Sequence, residues 1–195
     1  MIASSLRCLR WLVLGLAALG GSAGAQVVVE GARYDSNIVL GGQPLLLNGV
    51  GVRKRVVFDI YVGGLYVSKK AARSEDLVSQ PGPKRVALRF LRDVEGELFV
   101  NSLHAGLKAN HSEAELARWQ KQLETLTTTI KTIALARRGD TVYFDFTPQD
   151  GTRVSVNGVT RGPLIPGDDF YAAVLRVWLG ETPADAGLKK GMLGG

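Results

Sequence analysis

Arg53 is the side chain of this sequence whose position most needs a chemical explanation. It lies at the start of an apolar run within Asn48 to Val67, NGVGVRKRVVFDIYVGGLYV, whose β-branched and aromatic residues are typical of a packed strand. A charge in such a place needs a partner or a ligand. Arginine suits a carboxylate, because its planar fork binds two oxygens. Two interpretations stay open: Arg53 and Asn101 form the polar end of an apolar cleft, or Arg53 pairs with an internal acid such as Asp59.

Histidine, thiol and metal chemistry have little support in the sequence. His104 falls inside a predicted helix and His111 just before a helix start, so we expect solvated or capping side chains. A zinc site needs about three or four ligands at short spacings, which two histidines do not supply, so no metal is predicted. Cys8, the one cysteine, lies near the N-terminus, in a segment that we expect to be removed.

Two further patterns have simpler explanations than catalysis. Gly49-x-Gly51 superficially resembles a nucleotide fingerprint, but Lys54 replaces the third glycine and no helix pattern follows. We therefore expect no nucleotide and no other cofactor. Paired carboxylates occur near predicted helix starts, where negative charge is favourable; they are Glu75/Asp76, Glu95/Glu97 and Asp168/Asp169.

The segment around Arg53 predicts one long bent strand or two consecutive strands. Alternation would place Val56, Phe58 and Ile60 on one face. Gly63-Gly64 predicts a bulge or a close backbone approach. Asn48-Gly49 predicts a turn before the strand.

The remaining segments alternate between strand and helix patterns along the chain. Other strands are predicted at 26–33, 45–47, 84–91, 140–148, 152–156 and 159–164, and helices at 94–109, 112–136 and 170–179, with short helices near 74 and 182. Ser112 and Glu115 have capping-box spacing. An apolar stripe follows that we expect to pack in the core, namely Leu116, Trp119, Leu123, Leu126, Ile130 and Ile133. The order predicts an α+β fold whose antiparallel sheet is covered on one face by helices.

The N-terminus has the pattern of a secretory signal peptide. Arg7 and Arg10 precede a short apolar run, WLVLGLAAL, and Ala23-Gly24-Ala25 forms a small-x-small cleavage site. We expect a leader at 1–25 and one domain at 26–195, exported to the periplasm of a Gram-negative cell without stable membrane insertion. The formal charge of +6 is scattered along the chain, so a nucleic-acid partner is not expected.

Three segments resemble the chalcone isomerase fold family, in particular its bacterial exported group. They are Asn48 to Val67, with Arg53 after G-x-G-x and a Gly-Gly-x-Tyr ending, the helix carrying Asn101, and VLRVWLGETP at 174–183. The resemblance implies an open-faced β-sandwich, in which a large antiparallel sheet and a layer of helices enclose a cleft.

The resemblance also implies which residues meet a ligand. The plant enzymes of the family close a flavanone ring by adding a phenolate to an enone. Their arginine and asparagine correspond to Arg53 and Asn101. Their other polar positions correspond to Tyr61, Val94 and Val177, the last followed by Trp178. Since three polar groups are replaced, the resemblance implies little isomerase activity. Non-catalytic members of the family bind fatty acids, with the arginine holding the carboxylate.

The sequence therefore supports a main hypothesis and two alternatives. The main one is a non-catalytic protein that binds a fatty acid or another small apolar carboxylate through Arg53, Asn101, Tyr61 and Trp178. The alternatives are an isomerase (intramolecular lyase) of the chalcone type, and a periplasmic structural or interaction module whose cleft is filled by its own side chains. The sequence leaves the oligomeric state open. Whether Arg53 faces an open apolar cavity or an internal carboxylate would separate these hypotheses.

Overall fold

The structure is a computed structural model that describes residues 25–195. Apart from Ala25, the predicted leader lies outside the described residues. Within them the strands are β1 Gln26–Val29, β2 Ala32–Asp35, β3 Asn37–Leu40, β4 Gln43–Arg55, β5 Phe58–Val67, β6 Lys84–Phe90, β7 Val94–Glu95, β8 Leu135–Ala136, β9 Thr141–Thr147, β10 Gly151–Val156 and β11 Val159–Ile165. The helices are α1 Ser74–Ser79, α2 Gly96–Asn110, α3 Glu113–Arg118, α4 Gln120–Lys131, α5 Asp168–Leu179 and α6 Ala186–Met192.

Seven strands form one antiparallel sheet in the order β11-β10-β9-β6-β5-β4-β3. One face carries the main core, where side chains of β5, β6 and β9 meet those of α2, α4 and α5, including Phe90, Phe144, Leu103, Ile130 and Trp178. The predicted α+β class and its one-sided helical layer are confirmed.

A small hairpin covers part of the other sheet face. Where one strand was predicted at 26–33, β1 and β2 pair through a turn at Glu30-Gly31, both of which have positive φ. The Tyr34 hydroxyl donates to the carbonyl oxygen of Val62 over 2.8 Å, which ties this hairpin to the sheet. The ring of Tyr34 passes so close to Gly64 that a Cβ there would lie 2.6 Å from its Cδ1 atom, so Gly64 marks the predicted close approach.

The β4–β5 hairpin corrects the prediction of a strand through Val56. Arg55 pairs with Phe58, so Val56 and Val57 form a two-residue turn. Apolar β-branched residues are typical of strands, which is why their pattern concealed the turn. Because of this turn, Arg53 lies directly across from Tyr61 on the neighbouring strand.

The predicted turn at Asn48-Gly49 is also wrong, because both residues lie inside β4. A register shift occurs there, between Leu47 and Gly49. Gly49 and Gly51 face α6 so closely that a Cβ on either would overlap its backbone, at Gly191 and Leu188. The two glycines of the Gly-x-Gly pattern therefore allow α6 to pack directly against the backbone of β4.

The single helix predicted at 112–136 is two helices, α3 and α4, that meet at Trp119. The predicted capping box is confirmed, with both the Ser112 and the Glu115 side chains making their bonds. The Trp119 indole nitrogen donates to Asp169 over 2.8 Å, and this contact with α5 lies at the break. The chain leaves helical geometry near Ala134, which has positive φ, because β8 pairs with β7.

No helix in the described part of the chain is long and apolar enough to cross a bilayer. The last helix begins at Ala186, later than predicted, because Asp185 rather than Thr182 caps it.

Candidate ligand site

A cavity of about 360 Å³ lies beside Arg53, between the β4–β5 hairpin and the N-terminal half of α2. Apolar side chains and polar groups, including three arginines, share its walls about equally. The lining residues are Arg53, Arg55, Ile60, Tyr61, Phe90, Arg92, Asp93, Val94, Leu98, Phe99 and Ser102. Ligand sites for small molecules have volumes of about 300–1,000 Å³, so this cavity is near the lower limit.

The Arg53 guanidinium has hydrogen-bonding capacity to spare. Its Nε atom is buried and has no hydrogen-bond partner within residues 25–195. Asp59, the acid that could have neutralised it, lies 3.4 Å from Lys54 instead. The guanidinium carbon lies 5.5 Å from the centre of the Tyr61 ring, within cation–π range. Neither interpretation of Arg53 holds as stated, because Arg53 lines a cavity without Asn101 and Asp59 pairs with Lys54.

Tyr61 forms the buried wall of the cavity and joins it to the core. Its hydroxyl oxygen accepts a hydrogen bond from the Trp178 indole nitrogen over 2.9 Å. Burial raises the pKa of Tyr61, and the positive charge of Arg53 opposes that rise only in part. The phenol is therefore neutral at physiological pH and keeps its proton for donation.

The predicted site residues do not all meet at this cavity. Arg53 and Tyr61 line it. Trp178 is fully buried behind Tyr61 and packs against Phe144, at 5.4 Å between ring centres. Asn101 is exposed on α2 and does not line it.

Helical geometry explains why Asn101 does not line the cavity. Leu98 and Ser102 are four residues apart and therefore share a face of α2, whereas Asn101 is turned by about 100° from Ser102. Ser102 thus lines the cavity in the place expected for Asn101.

Sequence reasoning missed the second and third arginines of the site. Arg55 follows Arg53 and Lys54 in a run of basic residues, and Arg92 follows a strand that ends at Phe90, so neither position by itself predicts a site residue. The Arg92 guanidinium carbon lies 4.2 Å from the centre of the Phe58 ring, across the hairpin. The one available signal for Arg92 was the alternation of side-chain direction, continued past the end of β6. This alternation does not show that Arg92 meets a residue of another hairpin.

The two histidines lie away from this cavity and are built into the helical layer. His104 Nε2 lies 2.7 Å from Thr127 Oγ1, and burial lowers its pKa. His111 is buried, with Nε2 3.2 Å from the Ala173 carbonyl oxygen and its ring edge-on to Trp119. The expectation of a solvated side chain is therefore wrong for His111. No group of three or more potential metal ligands occurs in the described chain.

The carboxylate pairs have the structural roles expected of them. Glu75 and Asp76 lie in the first turn of α1, and Asp168 and Asp169 in that of α5. None of these four lines the Arg53 cavity.

A model of the family described as "Chalcone isomerase-like" matches residues 26–194, which is nearly all of the described chain. This chain belongs to the chalcone isomerase-like family. Its fold is similar to that of the fatty-acid binding protein AtFAP1 of Arabidopsis thaliana, known from a crystal structure, with a TM-score of 0.67 and 18% sequence identity. The match covers 87% of this chain and 96% of the Arabidopsis chain. No curated protein matches the sequence.

In this chalcone isomerase-like chain the cavity offers positive charge and apolar surface. Val94 lines it without a polar group, and Val177 is buried in the core. Two of the three polar positions that the resemblance associates with ring closure are therefore apolar here. The arrangement suits the binding of an anionic, largely apolar molecule.

Proposed function

We propose that the protein binds a small apolar carboxylate, such as a fatty acid, in the Arg53 cavity without transforming it. The observation that carries the proposal is Arg53, which lines the cavity and whose buried Nε has no hydrogen-bond partner among the described residues. An unpaired buried donor costs about 1–3 kcal/mol, more when it is charged. Once a rotation of the Arg53 side chain exposes the Nε to the cavity, a ligand carboxylate would accept two hydrogen bonds from the guanidinium and remove that cost.

The surroundings of Arg53 support an anion over a neutral ligand. Arg55 and Arg92 line the same cavity, while its one acid, Asp93, already accepts a hydrogen bond from the Arg138 backbone. The Tyr61 hydroxyl accepts from Trp178 and so has its own proton left for a ligand oxygen. The similarity in fold to a fatty-acid binding protein agrees with this proposal.

Trp178 limits the size of the ligand. Trp178 does not line the cavity itself, but it is fully buried behind Tyr61 and its indole nitrogen donates to the Tyr61 hydroxyl, so it holds in place the wall that Tyr61 forms. With about 360 Å³ available, we expect short and medium chains to bind more tightly than long ones.

The binding test compares carboxylates with alcohols of the same chain length. Purified protein would be titrated by calorimetry with saturated acids from octanoate to palmitate and with the matching alcohols, after lipid extraction and mass spectrometry of the protein as isolated. We expect the carboxylates to bind and the alcohols to bind at least about tenfold more weakly, since a charged hydrogen bond contributes about 1.5–3 kcal/mol. Absence of binding by every acid, or equal binding of acids and alcohols, would contradict the proposal.

Three variants test the role of Arg53. Arg53→Met keeps the length of the side chain and removes its charge, and we expect affinity to fall by about 1.5–3 kcal/mol. Arg53→Lys keeps the charge but loses the planar fork, so we expect an intermediate loss. Arg33→Met, an exposed arginine of β2 on the other sheet face, is the matched control and should bind like the wild type.

The packing of Trp178 favours a second candidate, a structural or interaction module that holds no ligand. In that case the isolated protein carries no lipid, and no acid binds in titration. The isomerase alternative predicts cyclisation of naringenin chalcone above the spontaneous rate. We expect none, because Val94 cannot hold a water or donate to a ketone.

We further propose that the protein acts after export, on the strength of the leader pattern before Gln26. Cell fractionation with N-terminal sequencing should find the chain in the periplasm, starting at Gln26. A cytoplasmic chain that retains Met1 would contradict this.

A further inference from the structure

The tip of the β4–β5 hairpin is an exposed apolar patch beside the cavity mouth. Val56 is 91% exposed, Val57 81% and Phe58 52%, and these three residues are contiguous. Leu98, on the α2 side of the cavity, is 51% exposed. Single exposed apolar residues are normal on protein surfaces, but contiguous ones on a protruding turn mark a contact site.

Turn chemistry does not explain these valines. Val56 has φ +57°, a region in which a β-branched residue is an outlier. Glycine is the favoured first residue of a two-residue hairpin loop with this backbone, usually followed by a polar residue. The tip therefore carries side chains that the turn disfavours. Strain of this kind clusters where a side chain has a function.

Positive charge surrounds the apolar tip. Arg53, Lys54 and Arg55 precede it on β4, and Arg92 lies against Phe58. Three acids lie nearby, namely Asp59 beside Lys54, Asp93 beside the Arg138 backbone and Asp185 beside the Lys54 backbone, so the four cations remain in excess by one. The Arg92 guanidinium lies over the Phe58 ring in a cation–π contact, which puts a positive charge directly against the apolar tip.

We infer that this tip docks onto the surface of a bilayer containing anionic phospholipid. Val56, Val57 and Phe58 enter the boundary between headgroups and acyl chains, and Lys54, Arg55 and Arg92 contact the phosphates. A bilayer fits better than a protein partner. The tip exposes only three apolar side chains, whereas a standard protein interface buries about 800 Å² on each partner.

Docking in this way places the cavity mouth at the lipid surface, because Arg55, Arg92 and Leu98 belong to both. The inference goes beyond the proposed function and does not depend on it. The tip residues Val56 and Val57 do not line the cavity, so vesicle binding and ligand binding are separable by mutation.

The test measures partition onto vesicles. It uses residues 26–195, which contain every described strand and helix, because the apolar run before Gln26 would itself bind lipid. Vesicles of phosphatidylcholine with about a quarter phosphatidylglycerol supply the anionic surface, and pure phosphatidylcholine is the neutral comparison. We expect co-sedimentation with the anionic vesicles. Binding should weaken at least about tenfold from 0.1 to 1 M salt, as the Debye length falls from about 10 to 3 Å.

The decisive variant is Val56→Gly/Val57→Ser. It replaces the apolar tip with residues that the turn prefers, so the fold should be at least as stable as in the wild type. We expect its partition onto anionic vesicles to fall at least about tenfold, from the lost apolar transfer. Val39→Ser is the matched control: Val39 is 70% exposed on β3, at the opposite end of β4 from the tip, and this variant should bind like the wild type.

A direct reading of insertion comes from a fluorescent label. Residues 26–195 contain no cysteine, so Val57→Cys accepts a polarity-sensitive dye at one position, and its emission should shift to the blue on anionic vesicles. The inference is overturned if the wild type binds neither vesicle, if the double variant binds as well as the wild type, or if the dye does not shift. Self-association that the double variant abolishes, without vesicle binding, would also overturn it and identify the tip as a contact between copies.

Discussion

Arg53 and Asn48 are two polar residues of the same strand with opposite states of hydrogen bonding. The Arg53 Nε is buried without a partner among the described residues, and this is why we propose an anionic ligand for the site. Asn48 is also buried, but its amide group donates to the Met192 and Ala71 carbonyl oxygens over 2.8 and 3.1 Å and accepts from the Ala71 nitrogen over 2.9 Å. An unsatisfied group is available for binding, whereas a satisfied one stabilises the fold.

Replacement of Asn48 should therefore affect stability and leave ligand affinity unchanged. Asn48→Leu has a similar volume but leaves the backbone groups of Ala71 and Met192 without their partner, and we expect a loss of about 2–3 kcal/mol in the free energy of unfolding. Asn101→Leu, at an exposed helix position, is the control and should change it by less than about 0.5 kcal/mol. Urea unfolding followed by circular dichroism measures both. Equal effects of the two variants would show that the Asn48 hydrogen bonds contribute nothing net.

The packing of α6 on β4 is a contact between two elements that the sequence pattern does not predict. Gly49 and Gly51 let the helix backbone approach the strand backbone directly, and a Cβ on Gly51 would lie 2.8 Å from the Leu188 Cα. Asp185 caps the helix by accepting from the Leu188 nitrogen, and its other oxygen accepts from the Lys54 backbone of β4 over 3.1 Å. The C-terminal helix is therefore docked beside the hairpin that carries Arg53.

A methyl group at Gly51 should displace this helix. Gly51→Ala forces backbone against backbone, and we expect it to destabilise the protein by about 1–3 kcal/mol. Gly187→Ala, inside α6, is the matched control: its new Cβ would meet the end of the Asp185 side chain at 3.2 Å, and helix propensity favours alanine. We expect little change or a slight gain in thermal unfolding of the control. A Gly51→Ala protein as stable as the wild type would show that α6 is not packed on β4 in solution.

Buried tyrosines with raised pKa values occur throughout the molecule. Burial raises the pKa values of Tyr34, Tyr61, Tyr66 and Tyr171, on both faces of the sheet. A group with a raised pKa contributes stability that is complete below its unfolded-state pKa of about 10 and is lost as pH rises toward the folded-state pKa. Above about pH 10 the unfolded chain releases phenolic protons that the native protein retains.

The free energy of unfolding should therefore fall steeply above about pH 10, by up to about 1.4 kcal/mol per pH unit for each such tyrosine. Tyr171→Phe removes one of these phenols, together with its 3.1 Å hydrogen bond to the Phe144 carbonyl oxygen. We expect the variant to be less stable at neutral pH but to lose stability less steeply in alkali. Urea unfolding across the alkaline range measures both slopes, and identical slopes would contradict the buried, protonated state of Tyr171.

Local sequence patterns are sufficient to predict the types of most elements and the class of the fold. Alternation identified β6 and β9, and the Ser112–Glu115 spacing identified a helix start whose capping box is present. These signals are local, since side-chain direction repeats every two residues in a strand and a cap acts within one turn. The three segments that resemble the chalcone isomerase family indicate the family, and the charge of Arg53 at the start of an apolar strand predicts a polar site there.

The ends of several elements and the meeting of distant side chains depend on tertiary contacts. Val56-Val57 is a strand-like pair that forms a turn, and the helix pattern at 112–136 breaks at Trp119, where its indole contacts Asp169 on α5. Asn101 faces solvent while Ser102 reaches the cavity, and Arg92 joins Arg53 there from a different segment. Each of these outcomes depends on contacts between residues far apart in the chain, whose energies exceed the small local preferences that a sequence pattern records.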